Sequence, residues 1–539
     1  MSEKKNKLPR NKETDQLDLG SRKIARPQRF SVSSDGMVST QHYLATDAAV
    51  KVLHAGGNAM DAAVSAAFAL GVCEPAASGL GGQTMIMYYH AESGKKIALD
   101  GSSRAPHRVE PGELTKKGYL RGHIASTVPS TPAVLAYALE HYGSMKLSDV
   151  MLPAIMLAEE GYQISQLQHD LTKREIKKLK KRSAGQFFLR NGERPYPVGS
   201  TFRQPVLAKT LMRIADQGVE EFYHGEIART IHKDMVDNDG LIRDDDLAQI
   251  PWPIERKPLS TRFMNNRVLT LGPPGAGRTL IEAMNIIEAM PEKFIDLDTP
   301  RGAVAFVEIV RRANLDRSDR PFEPNLYPQL PVKQMLSQEY ARKIGRKVRM
   351  KIKRGGDTTH LSVIDREGNM VALTQSIERV YGSCEASSEL GFLYNNYMSA
   401  FEYEDMTHPY YMRPNAVPWA SVAPTFVFRG RWPWISIGSP GSERIVSAII
   451  QVLLRMKKES PFDAVDAPRM HCSIDGKVSL EATRMRSDIP KTLSKFGFEV
   501  DRRDPYSFYL GCVQLVLNGK RGRLIGVADP RRDGAAGGP

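Results

Sequence analysis

Hydrophobic and polar residues follow different periods in two parts of the chain. Up to about residue 347, apolar side chains recur at helical spacing over long stretches, such as 44–55, 133–165 and 278–347. Beyond residue 358, short alternating runs predict strands at 359–365, 370–376, 391–395, 422–428 and 433–437. The pattern predicts a mixed α+β fold whose C-terminal third is rich in strands.

Composition is typical of a soluble globular protein. Of the 539 residues, 41% are hydrophobic and 25% are charged. No apolar run reaches the roughly eighteen residues that a membrane-spanning helix needs, so we expect no membrane partner. Residues 1–30 lack the apolar core of a signal peptide, and we expect them to form a disordered basic tail.

The cysteines are few and dispersed. Cys73, Cys384, Cys472 and Cys512 form no CxxC pair. This spacing favours reduced thiols over a disulfide framework or a zinc site. We therefore expect a cytoplasmic protein without a bound metal or other cofactor.

Part of the positive charge is concentrated in a few short runs of the chain. The formal net charge is +14, and two basic runs occupy residues 173–182 and 342–354. Such runs can bind phosphate backbones or acidic polymers, although solvated helix faces are the simpler interpretation. No aromatic residues interleave with them, so we expect no nucleic-acid partner. A basic protein that binds an acidic polymer and has lost its catalysis remains an alternative.

A glycine-rich stretch at residues 272–279, GPPGAGRT, resembles a phosphate-binding loop. An apolar run precedes it and a helical pattern follows, as in G-x-x-x-x-G-K-[ST]. Arg278 replaces the lysine, and a planar guanidinium is not equivalent to a compact ammonium. No convincing apolar strand ending in a magnesium-binding Asp follows. We favour a structural turn and keep a nucleotide hydrolase as an alternative.

The stretch Asp357-Thr358-Thr359-His360 lies at the start of a predicted strand. A threonine hydroxyl becomes a good nucleophile when a base accepts its proton, and a free α-amine, with a pKa of about 7.7–8.0, is one such base. Attack by Thr358 on the Asp357 carbonyl would break the intervening bond and free that amine. Ser376 ends the partner strand, where it can hydrogen-bond to Thr358.

A second candidate element is GSPGSERI at residues 438–445. It lies between a predicted strand and a predicted helix, where backbone N–H groups can hold an oxyanion. Gly441 would let the backbone approach a substrate oxygen closely. A tight turn without catalytic function is the alternative for this loop alone.

Nine motifs together resemble the γ-glutamyltransferase family, from about residue 38 to residue 534. They occur in family order: GGNAMDAAVSAAFALGVCEPAASGLGGQT, LDGSSRAP, EEFYHGEIARTI, DTTHLSVIDREGNMVALT, NNYMSAF, SVAPTFVF, GSPGSERI, VDAPRMH and ADPRRDGAA. The resemblance implies an αββα sandwich of the N-terminal-nucleophile hydrolases. It also implies a precursor that cuts itself into a heavy chain, residues 31–357 after the tail, and a light chain, residues 358–539.

The resemblance assigns roles to individual positions. Thr358 becomes the nucleophile, with Asp357 before it at the cleavage site. Ser376 takes the place of a supporting threonine, and Ser421 keeps one of two adjacent serines. The Gly441 and Ser442 amides match the oxyanion hole, although Ser442 replaces a family glycine.

Positions that bind the substrate in other family members hold different residues here. Ser102 stands where glutathione-cleaving members have an arginine for the α-carboxylate, and Arg104 is a possible substitute. A serine cannot replace a bidentate arginine–carboxylate contact. The positions around the γ-glutamyl amine and the first serine of the pair also differ, and they hold Glu378, Tyr397, Ala400 and Ala420.

These observations predict a self-processing threonine amidase or acyltransferase. Its substrates would be γ-glutamyl compounds such as glutathione, or related small amides through an acyl-enzyme on Thr358. A family member acting on an amide without a γ-glutamyl group is the alternative. The two chains of one precursor would be each other's partners, and the oligomeric state stays open.

Overall fold

The computed structural model describes residues 16–19, 22–25, 28–112, 118–319 and 358–539. The basic run at 342–354 and Asp357 lie outside these residues, as does much of the expected tail. Where the tail is described, it differs from the expectation. Residues Gln16–Leu19 (β1) pair antiparallel with Arg22–Ala25 (β2), and Phe30 already begins a strand of a large sheet.

Two seven-stranded sheets form the centre of the molecule. The first has the order β11-β6-β5-β15-β14-β4-β23, and its strands are Ile254–Arg256, Lys96–Asp100, Gln83–Tyr89, Met370–Ser376, Thr359–Asp365, Gly36–Thr40 and Ala535–Gly537. The second has the order β12-β13-β16-β17-β21-β22-β3, and its strands are Leu259–Phe263, Asn266–Thr270, Thr425–Arg429, Trp432–Gly438, Gln514–Asn518, Leu524–Ala528 and Phe30–Ser33.

Short strands pair outside these sheets. They are β7 (Tyr162–Gln163) with β10 (Thr201–Phe202), β8 (Leu189–Arg190) with β9 (Arg194–Pro195), and a three-stranded sheet of β18 (Met470–Cys472), β19 (Lys477–Leu480) and β20 (Glu499–Arg502).

Helices cover both outer faces. Those from the first part of the chain are α1 (Tyr43–His54), α2 (Ala59–Cys73), α3 (Thr131–Tyr142), α4 (Leu147–Glu160), α5 (Gln166–Leu179), α6 (Gly185–Phe188), α7 (Pro205–Gln217), α8 (Glu220–Tyr223), α9 (Glu226–Asp237), α10 (Asp244–Ala248), α11 (Gly277–Glu288) and α12 (Pro300–Asp319). The remaining ones are α13 (Arg444–Arg455), α14 (Pro461–Asp466) and α15 (Asp488–Lys495). Among the described residues, no helix is both long and apolar enough to cross a membrane.

Three apolar layers hold the sandwich together. One lies between α1–α9 and the first sheet, and another lies between the second sheet and α11–α13. The third lies between the sheets and includes Met87, Ile364 and Phe426. The order helix, sheet, sheet, helix confirms the predicted αββα architecture and the α+β class.

Helix α2 links the outer layer to the β14–β15 hairpin. Asn58 and Asp61 form a reciprocal capping box at its start, which satisfies amides that the helix itself leaves unpaired. The Asp365 carboxylate at the hairpin accepts the Ala59 amide at 2.9 Å and the Asn369 amide at 2.8 Å. This contact anchors the strand that begins just after Thr358.

Candidate active site

Thr358 lies immediately before β14 and is buried. Strands β14 and β15 are antiparallel and pair Thr359 with Gln375, which brings Thr358 next to Ser376. The Thr358 Oγ1 donates to the Ser376 Oγ at 3.5 Å, a long contact for two hydroxyls. The structure therefore brings together the two hydroxyls that the sequence singled out.

A buried arginine holds the Thr358 carbonyl. The Arg532 Nη1 donates to the Thr358 oxygen at 3.1 Å, to the Gln41 Oε1 at 3.1 Å and to the Glu74 Oε1 at 2.7 Å. The Thr359 hydroxyl donates to the same Gln41 oxygen at 3.0 Å and to Glu74. The network fixes the backbone on the C-terminal side of Thr358.

Sequence reasoning did not single out this network. Arg532 belongs to the ADPRRDGAA motif, where two adjacent arginines lie between acidic residues. That composition is the signal that could have indicated buried, paired cations. Gln41 and Glu74 carry no comparable signal, because their partner is 491 and 458 residues away, respectively.

The His360 side chain lies between β14 and strand β17 of the second sheet. Burial lowers the pKa of its imidazole to about 3, so the ring is neutral. Its Nδ1 lies 2.8 Å from the Thr374 Oγ1 and its Nε2 lies 3.2 Å from the Ser362 Oγ. A Cβ added at Gly438 would lie 2.2 Å from the ring. Only a glycine lets β17 approach β14 this closely.

The loop after β17 presents two backbone amides. Gly441 has a φ of +118° and Ser442 a φ of +54°, and both residues are buried. Their carbonyls accept the amides of Arg444 and Ile445, each at 3.0 Å, as the loop turns into α13. Among the described residues, neither the Gly441 nor the Ser442 N–H has an acceptor. Unpaired buried amides are rare, and a developing oxyanion is a suitable acceptor.

Ser102 lies two residues after Asp100, the last residue of β6, and its hydroxyl is already engaged. It donates to the Asp100 Oδ1 at 2.5 Å, and the other Asp100 oxygen accepts the Arg256 Nε at 2.9 Å. Arg104 is half-buried, and no carboxylate among the described residues lies within ion-pair distance of it. Of these two positions, only Arg104 offers an uncompensated cation to a substrate.

Tyr397 lies beside Ser376. Its side chain is buried, and its hydroxyl hydrogen-bonds with Ser376 and Gln83. Burial, with the negative charge of Glu378, raises the pKa of this phenol well above its ordinary value, so it stays neutral. The Glu378 amide donates to the Ser376 Oγ at 2.8 Å, and the Glu378 φ is +74°. Tyr397 and Glu378 therefore both contact the supporting hydroxyl.

Ser421 is partly exposed and rests on the glycine-rich loop. The carbonyl of the following Val422 accepts the Ala276 amide at 2.8 Å, and the Ala420 amide donates to the Pro274 carbonyl at 3.2 Å. A Cβ at Gly277 would lie 1.9 Å from the Leu271 oxygen. The glycines of this loop thus permit close packing behind the site, as the structural interpretation expected.

Comparisons with known proteins agree with this geometry. The profile of the gamma-glutamyltranspeptidase family matches residues 45–538. A glutathione hydrolase proenzyme of Escherichia coli (strain K12) is 30% identical over 535 residues, covering 93% of this chain and 91% of that protein. The capsule biosynthesis protein CapD proenzyme of Bacillus anthracis is 29% identical, with 92% and 89% covered.

A solved structure is also similar over nearly the whole chain. The cephalosporin acylase from Bacillus halodurans has a TM-score of 0.87 and 28% sequence identity, with 97% of this chain and 99% of that one covered. An αββα sandwich with a hydroxyl at the start of a central strand defines the N-terminal-nucleophile hydrolases. Within that class, this chain belongs to the gamma-glutamyltranspeptidase family. It is a self-processing hydrolase or acyltransferase, made as a precursor of separate subunits that act on small molecules.

Proposed function

We propose that Thr358 is the residue at which the precursor cuts itself. Its Oγ attacks the Asp357 carbonyl carbon, the peptide bond breaks, and the hydroxyl proton passes to the departing nitrogen. The Thr358 amine is free once this bond has broken, and water then hydrolyses the ester to an Asp357 carboxylate and the restored Thr358 hydroxyl. The rigid β14 start, held by Arg532 and by the hairpin, supports this assignment because intramolecular attack needs fixed geometry.

The same hydroxyl would then act on substrates. The freed Thr358 amine takes the Oγ proton while the Oγ attacks an amide carbonyl, and the Gly441 and Ser442 N–H groups hold the oxyanion. The amine of the substrate leaves, and water or an acceptor amine resolves the acyl-enzyme. The two unpaired buried amides are the observation that carries this proposal.

We propose further that the best substrates are small amides whose acyl group lacks an amino-acid head. The Ser102 hydroxyl is bound to Asp100, and Tyr397 occupies space beside Ser376. Glutathione and other γ-glutamyl compounds, which the name of the E. coli relative indicates, would be poorer substrates. The acylase name of the B. halodurans protein supports this preference.

A chromogenic assay tests both parts. Purified mature protein should release p-nitroaniline faster from a simple acyl anilide than from γ-glutamyl-p-nitroanilide. Thr358→Ala should remain uncut and inactive with either compound. If Thr358→Ala still matures into two chains, the nucleophile assignment is wrong. If the γ-glutamyl anilide is clearly the better substrate, only the acyl-group proposal is wrong.

The other interpretations have weaker support. In the basic run at 173–182, Lys178 pairs with Glu175, Lys180 with Glu193 and Arg182 with Glu385, so part of its positive charge is compensated within the chain. These pairs do not favour the acidic-polymer hypothesis. The four cysteines are free and buried, which supports our proposal of a reducing, cytoplasmic location.

A further inference from the structure

The turn that carries the Gly441 and Ser442 amides contains a strained residue. Ser442 has a φ of +54°, in the left-handed region, and α13 begins two residues later, at Arg444. A residue other than glycine persists in this region only where its surroundings fix it. The direction of the two amides therefore depends on contacts that hold the turn from outside.

The two ends of the turn are held by residues 508–512. Before the turn, the Ser439 Oγ accepts the Cys512 amide at 3.0 Å. After it, the Arg444 Nε donates to the Tyr509 carbonyl at 3.0 Å, and the guanidinium lies 4.3 Å from the Tyr509 ring centroid. These contacts fix where the turn begins and ends, but they do not touch its middle.

Glu443 connects the middle of the turn to a separate element, strand β18. Its side chain is 12% exposed, and its Oε1 lies 3.7 Å from the His471 Nε2. In the part of the chain that the structure describes, both atoms are buried and neither has a hydrogen-bond partner. The distance is within ion-pair range but longer than a hydrogen bond, so the contact is electrostatic.

His471 is itself rigidly placed. Burial lowers the pKa of its imidazole, so the ring is neutral at pH 7. Because a carboxylate accepts hydrogen bonds, we assign the ring proton to Nε2, and the Ser447 hydroxyl then donates to Nδ1 at 3.0 Å rather than to the Arg444 carbonyl at 2.9 Å. Gln451 fixes the strand beside the ring, since it donates to the Met470 carbonyl at 2.9 Å and accepts the Met470 amide at 3.0 Å.

We infer that Glu443 is a positioning residue for the oxyanion amides and that the N–H of His471 holds it in place. Glu443 follows Ser442 directly, so its tether limits rotation of the peptide that joins the two residues. The same tether holds the negative carboxylate to β18, away from a developing oxyanion that it would oppose. This inference rests on the proposed function, in which the Gly441 and Ser442 amides bind that oxyanion.

Two substitutions at position 443 provide the test. Glu443→Gln keeps an oxygen that accepts the His471 N–H, and Glu443→Ala removes it. With the better anilide of the chromogenic assay, Glu443→Ala should lower kcat about tenfold or more and change KM by less than about threefold, because a misplaced oxyanion donor loses part of the roughly hundredfold or greater effect of that donor. Glu443→Gln should keep kcat within about threefold of the wild-type value.

A substitution at the other end of the contact tests the link to β18. His471→Leu should lower kcat by a similar factor. Adding Glu443→Ala to it should lower kcat little further, because both changes break the same contact. Additive losses would show that the two side chains act independently and would overturn the inference.

Butylboronic acid reports the oxyanion site without turnover. The Thr358 oxygen adds to boron while the Thr358 amine takes the hydroxyl proton, and the tetrahedral boron group then carries the negative charge. The inhibition constant should rise in Glu443→Ala by about the same factor as kcat falls, since both depend on the same two amides. An unchanged inhibition constant would show that Glu443 does not act on the oxyanion site.

Controls separate this effect from general damage. Glu226→Ala removes an exposed carboxylate at the first residue of α9, and it should keep the wild-type kcat, KM and inhibition constant. A denaturing gel and thermal unfolding show whether each variant is cut and folded, and kinetic constants are compared for cut protein. If Glu443→Ala does not fold, His471→Leu decides by the same criteria.

The outcomes distinguish the inference from the proposed function. A wild-type kcat in cut Glu443→Ala, or equal losses in Glu443→Ala and Glu443→Gln, would overturn the inference and leave the proposed function in place. A folded Glu443→Ala that stays uncut while Glu443→Gln is cut would support the tether, as a requirement for self-processing. An uncut wild-type protein, or one inactive with both anilides, would contradict the proposed function and this inference with it.

Discussion

Two parts of this site are built differently. One is the proposed reaction centre, with Thr358, Ser376 and Gly441, and the other is the proposed substrate-binding rim, with Ser102 and Tyr397. At the proposed centre, strand register places Thr358 beside Ser376, and the turn after β17 sets the Gly441 backbone at a φ of +118°. At the proposed rim, individual side chains hold the positions, with Ser102 bound to Asp100 and Tyr397 beside Ser376. The centre keeps the family pattern and the rim departs from it. Under the proposed function, the fold positions the reacting groups, whereas separate side chains set the substrate preference.

A physical reason underlies this difference. A substitution at the centre disturbs a buried network or a close sheet-to-sheet contact, as at Arg532 and Gly438. A substitution at the rim changes one contact with the ligand and leaves both sheets in place. The rim can therefore acquire a new substrate without loss of the nucleophile.

Removing Arg532 should have the largest effect. Arg532→Met removes the ion pair with Glu74 and the hydrogen bond from Arg532 to the Thr358 carbonyl. We expect unfolding free energy to fall by about 3–5 kcal/mol and self-cleavage to slow. Urea unfolding and a time-resolved gel measure the two effects. Arg229→Met, which removes an exposed pair with Glu226, should change stability by less than about 1 kcal/mol. Equal losses of stability in the two variants would show that the buried Arg532 network stabilises the protein no more than an exposed ion pair does.

Acid should weaken the centre through buried neutral histidines. Burial lowers the pKa of His360 to about 3 and that of His42 to about 4, from an ordinary 6.5. The unfolded chain therefore binds more protons below pH 6.5, and stability falls as the pH drops from 6.5 toward those folded-state values. At pH 5.5 the pair should lower the unfolding free energy by about 2–3 kcal/mol relative to pH 7.5. Urea midpoints that do not change between these pH values would contradict this.

Gly438→Ala tests the contact between the sheets. The new methyl group would overlap the His360 ring, and we expect a loss of about 1–3 kcal/mol. Gly537→Ala is the matched control, since a Cβ there meets its nearest neighbours at 3.4 Å. Thermal unfolding of both variants provides the measurement. A fully stable Gly438→Ala protein would show that His360 does not fix the distance between β14 and β17.

The smallest effect should come from the rim. Ser102→Ala removes a hydroxyl that donates to Asp100 and that does not bind the substrate as an arginine would. We expect about 1 kcal/mol of lost stability and less than about threefold change in kcat/KM for the best anilide. A large increase in KM without loss of stability would show that Ser102 binds the substrate, and would assign it a direct role in the rim.

The β14–β15 hairpin was predictable because the residues of its strands and of its turn indicate the same structure. The hairpin strands lie at Thr359–Asp365 and Met370–Ser376, as predicted, since alternation and a polar turn containing Gly368 agree. The predicted strand at 391–395 is wrong. Its residues make only isolated bridges, Gly81 with Tyr394 and Ala386 with Leu393, because no neighbouring strand continues the ladder.

The site was predictable in part for similar reasons. Thr358, Ser376 and Gly441 lie within short motifs, so their roles could be expected from residues near one another in sequence. The small cleft beside the glycine-rich loop is lined by residues of α11 and α12 and by Trp419, which only folding brings together. Tyr397 shows the same limit, since its contact with Ser376 depends on packing and not on spacing.

The intact mass of the purified wild-type protein, measured beside Thr358→Ala, tests the central claim most directly. We predict two wild-type fragments whose masses meet between Asp357 and Thr358, with a free amine on Thr358, and a single uncut chain for the variant. A wild-type protein that stays whole, or fragments that meet elsewhere, would contradict the account.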